Sequence, residues 1–288
     1  MKGFIKNIIS VLSIWAILFI VSYFLSFNST SYEGFATPHI MILTVVLIQI
    51  IFYFHSLIFK TDLLFDFIGS LTFITLVTIG FVFMVNPDFN KIFISFLLFL
   101  WASRLGIFLL FRRIKAKKDV RLQSFLRPPS RLFLLWNIQG IWIIFSSLPL
   151  IVVLSSKLEH DFGLLEWGGF SIWLIGFLVE VIADNQKRNF KIINSSSFIN
   201  SGLWAYSRHP NYLGEILIWL GITVMSFKYL SGFGYIALIT PLFVFVLLRY
   251  ISGVPQLESI ANDRWGGDDR YTEYKNKVGL LFPKLFND

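Results

Sequence analysis

The sequence predicts an all-α polytopic membrane protein, a bundle of about seven to eight transmembrane helices. The first observation is composition, because 56% of the 288 residues are hydrophobic and 33 are Phe, more than a water-soluble domain can bury. The second is a series of apolar runs that are long enough to cross a hydrocarbon core of ~30 Å. The third is the one-sided distribution of Lys and Arg between those runs.

Eight apolar runs predict eight helices, with seven as the smaller count. A signal peptide is the alternative for the first run, because Lys2 and Lys6 precede it. Its apolar core is about 20 residues long and lacks a small-x-small cleavage site, which favours a retained helix. We expect one transmembrane domain over residues 1–288. The predicted helices are 8–27, 40–59, 63–85, 91–111, 132–155, 163–183, 211–227 and 233–251, the last interrupted by Pro241.

Basic residues predict the orientation of the bundle. With eight crossings, Lys91, Lys157 and Lys228 are the only Lys or Arg on one side, whereas the segment 112–131 on the other side carries eight. The positive-inside rule therefore places both termini in the cytosol. Membrane lipids with anionic headgroups are expected partners of this basic segment, and nucleic acid is an improbable partner for so apolar a chain.

Several classes of site are excluded by residues that the chain lacks. There is no Cys, so thiolate nucleophiles and Cys-ligated metals are excluded. The four His lie on different segments without a His-Glu-x-x-His spacing, and no metal site is expected. No Gly-x-Gly-x-x-Gly, Walker or Gly-x-Ser-x-Gly element occurs, which argues against a Rossmann domain or a serine hydrolase.

Polar residues inside the predicted helices all fall in the cytosolic half of the bundle. A polar side chain at membrane depth must face a cavity or another polar group. The pattern therefore predicts a polar chamber that opens to the cytosol, with the apolar remainder available for a lipophilic small-molecule substrate. For any single residue, an interhelical hydrogen bond or salt bridge is the alternative. These residues are Asp66, Arg104, Gln139, Glu180, Asp184 and Glu215.

The segment 184–210 predicts a phosphate-binding surface. Asp184, Lys187, Arg188 and Lys191 follow an i, i+3, i+4, i+7 spacing, so a helix that continues past the membrane would align one acid with three cations. The structural alternative for these cations is snorkelling towards the headgroups.

The next helix is expected to begin at a positive end. Pro210 suits the first helical position and makes His209 the cap, so Arg208 and free amide groups would converge there. Asn211 and Glu215 lie one turn apart on the same face of this helix. An interfacial cap without a functional role is the alternative.

The tail after the last helix is polar and aromatic. Trp265, Tyr271 and Tyr274 fit either anchors at the headgroup level or rings that close over an adenine. Periodicity does not choose between the two.

Two sets of motifs resemble known families. Asn211-Tyr212-x-Gly214-Glu215-Ile216-x-x-Trp219-x-Gly221 and the Arg-Trp…Tyr…Tyr…Pro tail resemble the C-terminal signature of steroid 5α-reductases. A longer set is similar to the DUF1295 branch of that superfamily: Asp66-x-x-Gly69-Ser70-x-Thr72-Phe73, Trp101-x-x-Arg104-Leu105, Trp136-x-x-Gln139-Gly140, Asp184-x-Gln186-Lys187-x-x-Phe190, Ser207-Arg208-His209-Pro210-Asn211-Tyr212 and Gly253-x-Pro255-x-x-Glu258.

The resemblance implies an integral membrane reductase that binds NADPH from the cytosol, with residues 184–288 as its cofactor-binding part. It places Asp184, Arg208, Asn211, Tyr212 and Glu215 in the cofactor and active-site region. The further cofactor-binding candidates are Arg104, Gln186, Lys187, His209, Tyr271 and Tyr274.

The expected reaction is hydride transfer to a conjugated double bond of a lipid, assisted by an acid at the carbonyl oxygen. The steroid enzymes carry a Gln-Glu pair on an early helix, and this chain has none; Gln49, Tyr53 and His55 are its nearest candidates. The expected catalytic residues are Glu215 and Asp66, the latter acting directly or through Tyr53. Arg104 is an alternative partner that would keep Asp66 or Glu215 ionised.

Two other functions stay open. Membrane methyltransferases of the isoprenylcysteine and phospholipid type share an Arg-His-Pro-x-Tyr-x-Gly element and bind S-adenosylmethionine, but they usually carry a Glu-Glu pair where only Glu258 is present here. A lipid-binding or transport protein without catalysis is the second alternative, although no inverted repeat is visible.

Overall fold

The computed structural model describes residues 2–116, 127–194 and 196–284. The basic residues Lys117, Lys118 and Arg121 of the predicted loop lie outside this part. Contacts divide the chain into two compact units. Unit 1 comprises Met1–Gly163 and Met225–Thr240, and unit 2 comprises Leu164–Val224 and Pro241–Asp288.

Unit 1 consists of long apolar helices and a short hairpin. The hairpin turns at Glu33 and Gly34, whose φ angles are 47° and 85°. Glycine adopts the positive φ angle of position 34 without strain. The elements are α1 (Lys2–Ser26), β1 (Ser31–Tyr32), antiparallel β2 (Phe35–Ala36), α2 (Thr37–Phe59), α3 (Phe65–Val82), α4 (Phe89–Ala116), α5 (Pro129–Ser155) and 3₁₀ segments Phe227–Tyr229 and Gly232–Ile239.

Unit 2 combines one long helix with shorter ones. Its elements are α6 (Leu164–Ile193), the 3₁₀ turn Gly202–Ala205, α7 (Pro210–Met225, whose last residue belongs to unit 1), α8 (Thr240–Val246, whose first residue does too), the π turn Leu247–Ile251, α9 (Val254–Trp265) and α10 (Asp269–Lys277).

The all-α polytopic class is confirmed. In the described part of the chain, six helical runs are long and apolar enough to cross a membrane, and the bent helix α5 makes a seventh. The predicted crossing 211–227 falls short, because the 16 residues of α7 rise about 24 Å, less than a core of ~30 Å. The predicted crossing 233–251 is continuous but mixes 3₁₀, α and π turns.

Helix α5 is bent within the predicted crossing 132–155. Its two parts, Pro129–Ser146 and Leu148–Ser155, meet at 56° beside Pro149. Pro149 has no N–H, so it cannot bond to the carbonyl of Phe145 four residues earlier. The hydroxyl of Thr240 donates to that carbonyl instead, at 2.7 Å. A hydroxyl from another segment therefore stabilises the bend, as the absence of water in lipid requires.

Side-chain hydrogen bonds hold α1 against α5. The indole Nε1 of Trp15 donates to Oδ1 of Asn137 at 2.6 Å, and Nδ2 of Asn7 donates to Oγ of Ser130 at 3.1 Å. Two helical turns separate the two acceptors on α5. The two bonds therefore fix the register of α1 along α5.

A buried lysine links the segment before α4 to the end of α5 in unit 1. The ammonium of Lys91 is fully buried and donates to three carbonyl oxygens, those of Val85 (3.2 Å), Asn86 (2.8 Å) and Ser156 (3.0 Å). Nearby, Asp88 accepts from the Lys91 amide at 2.8 Å and from the Tyr229 hydroxyl at 2.6 Å. Every proton of the ammonium thus has an acceptor, which is how a buried charge is tolerated.

Candidate functional site

The long helix α6 carries the predicted acid and cations beyond its apolar part. It runs without a break to Ile193, so Asp184, Lys187, Arg188 and Lys191 share one face as the spacing predicted. Asp184 and the preceding acid, Glu180, are both buried. Two carboxylates one turn apart therefore lie within unit 2, on the side of α6 that other elements cover.

Glycines bring α6 and α7 into backbone contact. A Cβ atom on Gly176 would lie 2.7 Å from the carbonyl oxygen of Gly214, and one on Gly214 would lie 2.7 Å from the amide nitrogen of Glu180. Two helical turns further along α7, a Cβ on Gly221 would lie 2.6 Å from the carbonyl oxygen of Gly169. Only glycine allows helices to approach this closely. The contact sets Glu180 against the turn of α7 that bears Gly214 and Glu215.

Helix α7 begins at Pro210, as predicted. The side chains of Asn211 and Glu215 point one acceptor each into the protein, because Oδ1 of Asn211 and Oε1 of Glu215 are buried. Neither oxygen accepts a hydrogen bond from any residue of the described ranges. Glu180 and Asp184 lie within electrostatic reach of Glu215. The start of α7 is thus an acceptor-rich, acidic place that is suited to a ligand with several donors.

A charged network precedes α7. Nη1 of Arg208 donates to Oε2 of Glu258 at 2.7 Å, and Nε2 of His209 lies 2.9 Å from Oε1 of the same carboxylate. The Nε of Arg208 and the Nδ1 of His209 are buried and have no hydrogen-bond partner in the part of the chain that the structure describes. Arg208 therefore keeps a donor for an anionic ligand, while Glu258 fixes the position of its guanidinium.

The backbone of this network is anchored to the C-terminal tail. The amides of Arg208 and His209 donate to the carbonyls of Gly279 (2.9 Å) and Leu280 (3.1 Å). The ring of His209 stacks on that of Tyr212 with centroids 5.6 Å apart. A Cβ on Gly253, whose φ is +78°, would lie 2.9 Å from the Tyr212 ring. A side chain at position 253 would therefore clash with Tyr212. Helix α9 follows Gly253 and carries Glu258, which contacts Arg208 and His209.

Burial lowers the pKa of His209 below its ordinary value of 6.5. The hydrogen bond with Glu258 opposes this shift, whereas the nearby charges of Lys187 and Arg208 add to it. A neutral His209 leaves the Glu258 charge available to Arg208. Lys187 and Lys275 lie within electrostatic reach of the His209–Glu258 pair, so three cations surround one acid.

Gln186 and Lys187 organise the loop that follows α6. Oε1 of Gln186 accepts from the amide of Leu203 at 3.0 Å, beside Gly202, whose φ is +61°. The ammonium of Lys187 lies 4.4 Å from the ring centroid of Trp204, a cation–π contact. The structure therefore gives Gln186, a predicted cofactor ligand, a role in holding the loop.

Within unit 2, the tyrosines of the C-terminal tail pack against the segment that contains Phe198 and Trp204. Tyr271 and Tyr274 lie 5.1 and 5.4 Å from the ring of Phe198, and the Tyr274 hydroxyl donates to the carbonyl of Trp204 at 2.7 Å. Burial raises the pKa of both tyrosines, so both stay neutral donors at ordinary pH. Tyr271 is 4% exposed, which is inconsistent with a headgroup anchor. Both tyrosines lie within electrostatic reach of Arg208.

The predicted residues of unit 1 lie in a different setting. Oδ2 of Asp66 accepts from Arg112 at 3.4 Å, and a second pair, Arg113 and Asp62, is buried beside it. Tyr53 packs on Phe133 with ring centroids 4.8 Å apart, and the guanidinium of Arg104 lies 5.2 Å from the Phe108 ring. Gln139 donates to the carbonyl of Phe65 at 3.0 Å. Unit 1 therefore holds Asp66, Tyr53 and Arg104, and unit 2 holds the other predicted site residues.

A cavity of about 700 Å³ opens elsewhere in unit 1, and none of the predicted site residues lines it. Its walls are Ser56, Leu57, Lys60, Arg127, Pro128 and Pro129.

The residue of the candidate site that sequence reasoning left out is Glu258. The signal for it was present, since Glu258 ends the Gly253-x-Pro255-x-x-Glu258 motif.

Comparison with known proteins gives a family and a set of distant relatives. The model of the family described as "Protein of unknown function (DUF1295)" matches residues 51–278. An uncharacterized protein of Schizosaccharomyces pombe is 26% identical over 48% of this chain and 44% of its own length. The 3-oxo-5-alpha-steroid 4-dehydrogenase 1 of Macaca fascicularis is 27% identical over 41% of this chain and 40% of its own length.

The human 3-oxo-5-alpha-steroid 4-dehydrogenase 1 is 32% identical over a shorter stretch, 21% of this chain and 24% of its own length. The chain thus spans less than half the length of these curated relatives. No solved structure matches it.

Proposed function

Because the chain belongs to the DUF1295 family and is similar over part of its length to steroid dehydrogenases, we propose that it is a membrane reductase that uses NADPH. Its substrate is a lipophilic molecule with a conjugated double bond, steroid-like or another lipid. The cofactor binds at the start of α7, on the cytosolic side of the membrane.

The observation that carries the proposal is the pair of buried acceptors on α7. Oδ1 of Asn211 and Oε1 of Glu215 receive no hydrogen bond from residues 2–116, 127–194 or 196–284. A buried acceptor without a donor costs about 1–3 kcal/mol. Ribose hydroxyls and a carboxamide N–H₂ are donors of the kind that a nicotinamide nucleotide carries. The residues present therefore fit that half of the cofactor.

The phosphate half of the cofactor fits the neighbouring cations. Lys187, Arg208 and Lys275 surround the His209–Glu258 pair, and Arg208 retains its buried Nε–H. Arginine binds phosphate oxygens through several donors at once. The acids Glu180, Asp184 and Glu215 lie further into α6 and α7. This order separates the acceptors from the cations, as a ligand with a polar sugar and anionic phosphates requires.

When bound, NADPH supplies a hydride to the β-carbon of the conjugated system. The residues of the chain bind the cofactor and the substrate, orient them and exclude water from the site. Asn211 and Glu215 accept hydrogen bonds and orient the nicotinamide end, and Arg208 neutralises phosphate charge. Asp66 and Tyr53 remain the proposed groups that hydrogen-bond the substrate carbonyl, where negative charge develops.

Thermal unfolding of the purified protein with NADPH, NADH or S-adenosylmethionine tests the proposal. NADPH should raise the unfolding temperature, by mass action on the folded state. Arg208→Ala should abolish that shift, and Arg270→Ala, at an exposed position paired with Asp268, should keep it. Stabilisation by S-adenosylmethionine and not by NADPH would instead assign the protein to the methyltransferases.

A further inference from the structure

The cavity of about 700 Å³ in unit 1 lies where the last turn of α2 meets the start of α5. Its apolar walls are Leu57 of α2 and the two prolines that open α5. Proline has no N–H, so these two residues offer a ligand no backbone donor. The polar groups on the walls are therefore side chains, those of Ser56, Lys60 and Arg127.

Two cations on these walls lack an acidic partner. Lys60 and Arg127 are both exposed, and neither forms an ion pair with any residue of the ranges 2–116, 127–194 and 196–284. Asp62 follows Lys60 by two residues, but its carboxylate is buried and paired with Arg113 of α4. The nearest acid in the sequence is thus already neutralised. The cavity therefore offers two positive charges to an anionic ligand.

Apolar residues beside the cavity indicate its depth in the membrane. Ile58 and Phe59, in the last turn of α2, are 68% and 67% exposed. On a helix that crosses a bilayer, exposed apolar side chains of this size face the acyl chains. Lys60 follows them directly, as a cation at the headgroup level does. The two cations therefore lie at the level of the lipid phosphates.

Lys60 ends α2 in a conformation that is unusual for lysine. Its φ and ψ angles are 50° and 43°, the left-handed region, and its amide donates to the carbonyl of Ser56. Glycine most often takes this position after a helix, because a Cβ atom disfavours it. Since the backbone would be better served by glycine, the lysine side chain is a candidate for a role of its own.

From these observations we infer that the cavity is a binding site for one anionic phospholipid, whose phosphate contacts Lys60 and Arg127. The guanidinium donates to phosphate oxygens through several N–H groups, and the ammonium acts as a point charge. The glycerol and the first methylenes pack on Leu57 and the prolines. A zwitterionic lipid fits less well, because its own cation would lie beside two others. Binding here needs no nicotinamide cofactor and holds whether or not the protein is a reductase.

Three probes test the inference on the full chain in dodecyl maltoside. They are dioctanoyl phosphatidylglycerol, dioctanoyl phosphatidylcholine with the same acyl chains, and glycerol phosphate without acyl chains. The first should raise the unfolding temperature more than the other two at equal concentration. Equal shifts for the two lipids would show that charge plays no part. An equal shift with glycerol phosphate would show a site for free phosphate. Either result would overturn the inference.

The double variant Lys60→Gly/Arg127→Gln separates a ligand role from a structural one. Without lipid, it should unfold at the same or a higher temperature, since glycine suits the left-handed conformation at position 60. Its affinity for dioctanoyl phosphatidylglycerol should fall about tenfold or more, because two contacts with the phosphate are lost. Native mass spectrometry should show one retained phosphatidylglycerol on the wild type and none on the variant. An unchanged affinity would contradict the inference.

Lys6→Gln/Lys115→Gln is the control, because it removes the same charge at the same end of unit 1. Both lysines are exposed and neither lines the cavity. Lys6 precedes Asn7, whose amide donates to Ser130 at the start of α5. This control should keep the wild-type affinity for phosphatidylglycerol. An equal loss in both double variants would reduce the effect to a general attraction of the basic surface and overturn the inference.

Pro129→Trp tests the cavity itself, since it adds a large ring at the wall and changes no charge. Pro129 is exposed at the first position of α5, where other residues are also accepted, so the variant should fold. It should lose the bound phosphatidylglycerol, and wild-type affinity would place the lipid elsewhere. Both Pro129→Trp and Lys60→Gly/Arg127→Gln should keep the NADPH shift. Loss of that shift would instead assign these cations to a phosphate of the nucleotide.

Discussion

Two buried charged regions of the molecule differ in how their polar atoms are used. At Lys91 in unit 1, three carbonyl oxygens accept from one ammonium, and Asp88 is bonded as well. At the start of α7 in unit 2, Asn211 and Glu215 each keep a buried oxygen that accepts from no described residue. A buried polar group whose partners lie within the chain serves the fold, whereas one without such partners is a candidate for contact with a ligand. Variants in the two regions should therefore fail in different ways.

The largest effect is expected where backbone contact holds the second region together. Gly214→Val puts a side chain where only 2.6 Å separates the new Cβ from the Gly176 carbonyl oxygen. The two helices must move apart, so we expect unfolding or loss of more than about 3 kcal/mol. Gly168→Ala is the control, because no atom lies within 4 Å of its Cβ. It should be neutral or stabilising by about 0.5–1 kcal/mol, measured by urea or thermal unfolding. Equal destabilisation by both variants would rule out the close contact.

Lys91→Met should give the next largest effect, on stability alone. It removes the donor of three carbonyls, of which that of Ser156 is buried, and leaves Asp88 without its nearby cation, which should cost about 3–5 kcal/mol. Lys157→Met, at an exposed position, should change stability by less than about 0.5 kcal/mol. Ligand affinity of the folded fraction should be normal in both variants. A Lys91→Met protein as stable as the wild type would mean that the ammonium adds nothing to the fold.

Glu258→Gln should affect both stability and ligand binding. Arg208 and His209 lose their charged acceptor, which should destabilise the protein by about 1–3 kcal/mol. The NADPH shift should shrink as well, because Arg208 is no longer held in place. Glu273→Gln, in an exposed pair with Lys277, is the control and should behave as wild type. A loss of stability without any change in ligand response would limit Glu258 to a structural role.

The smallest effect is a pH dependence from His209. Because burial lowers its pKa, the unfolded chain takes up this proton near pH 6.5 and the folded chain only at lower pH. The free energy of unfolding should therefore decrease as pH falls from about 7.5 through 6.5. His209→Gln should remove part of this slope, measured as the difference in unfolding temperature between the two proteins at each pH. Parallel curves for wild type and variant would contradict the assignment.

Local patterns in the sequence were sufficient for much of the fold and part of the site. Composition and apolar runs predicted the polytopic class, and Pro210 predicted the start of α7. The spacing from Asp184 to Lys191 suited a helix that continues past the membrane, and the observed helix α6 extends to Ile193. These features depend on residues within a few turns of each other. Periodicity and helix-end chemistry encode them directly.

The remaining features depend on partners far apart in the chain. Glu258 binds Arg208 across 50 residues, and Thr240 reaches the carbonyl freed by Pro149 across 95. Neither pairing has a period that a sequence reveals. The predicted end of α7 was two residues too late, because Ser226 lies in a turn and Phe227 in a 3₁₀ segment. The hydrogen bond between the Gln186 side-chain oxygen and the Leu203 amide spans 17 residues, and it too has no local signal in the sequence.

Titration of NADPH fluorescence with the purified protein tests most directly whether the unpaired oxygens of α7 bind the cofactor. We expect saturable binding to the wild type and to Gly168→Ala. Asn211→Leu removes one buried acceptor and should weaken binding about tenfold or more, without loss of folding. Absence of saturable binding to a folded wild-type protein, or equal affinity in Asn211→Leu, would contradict the account.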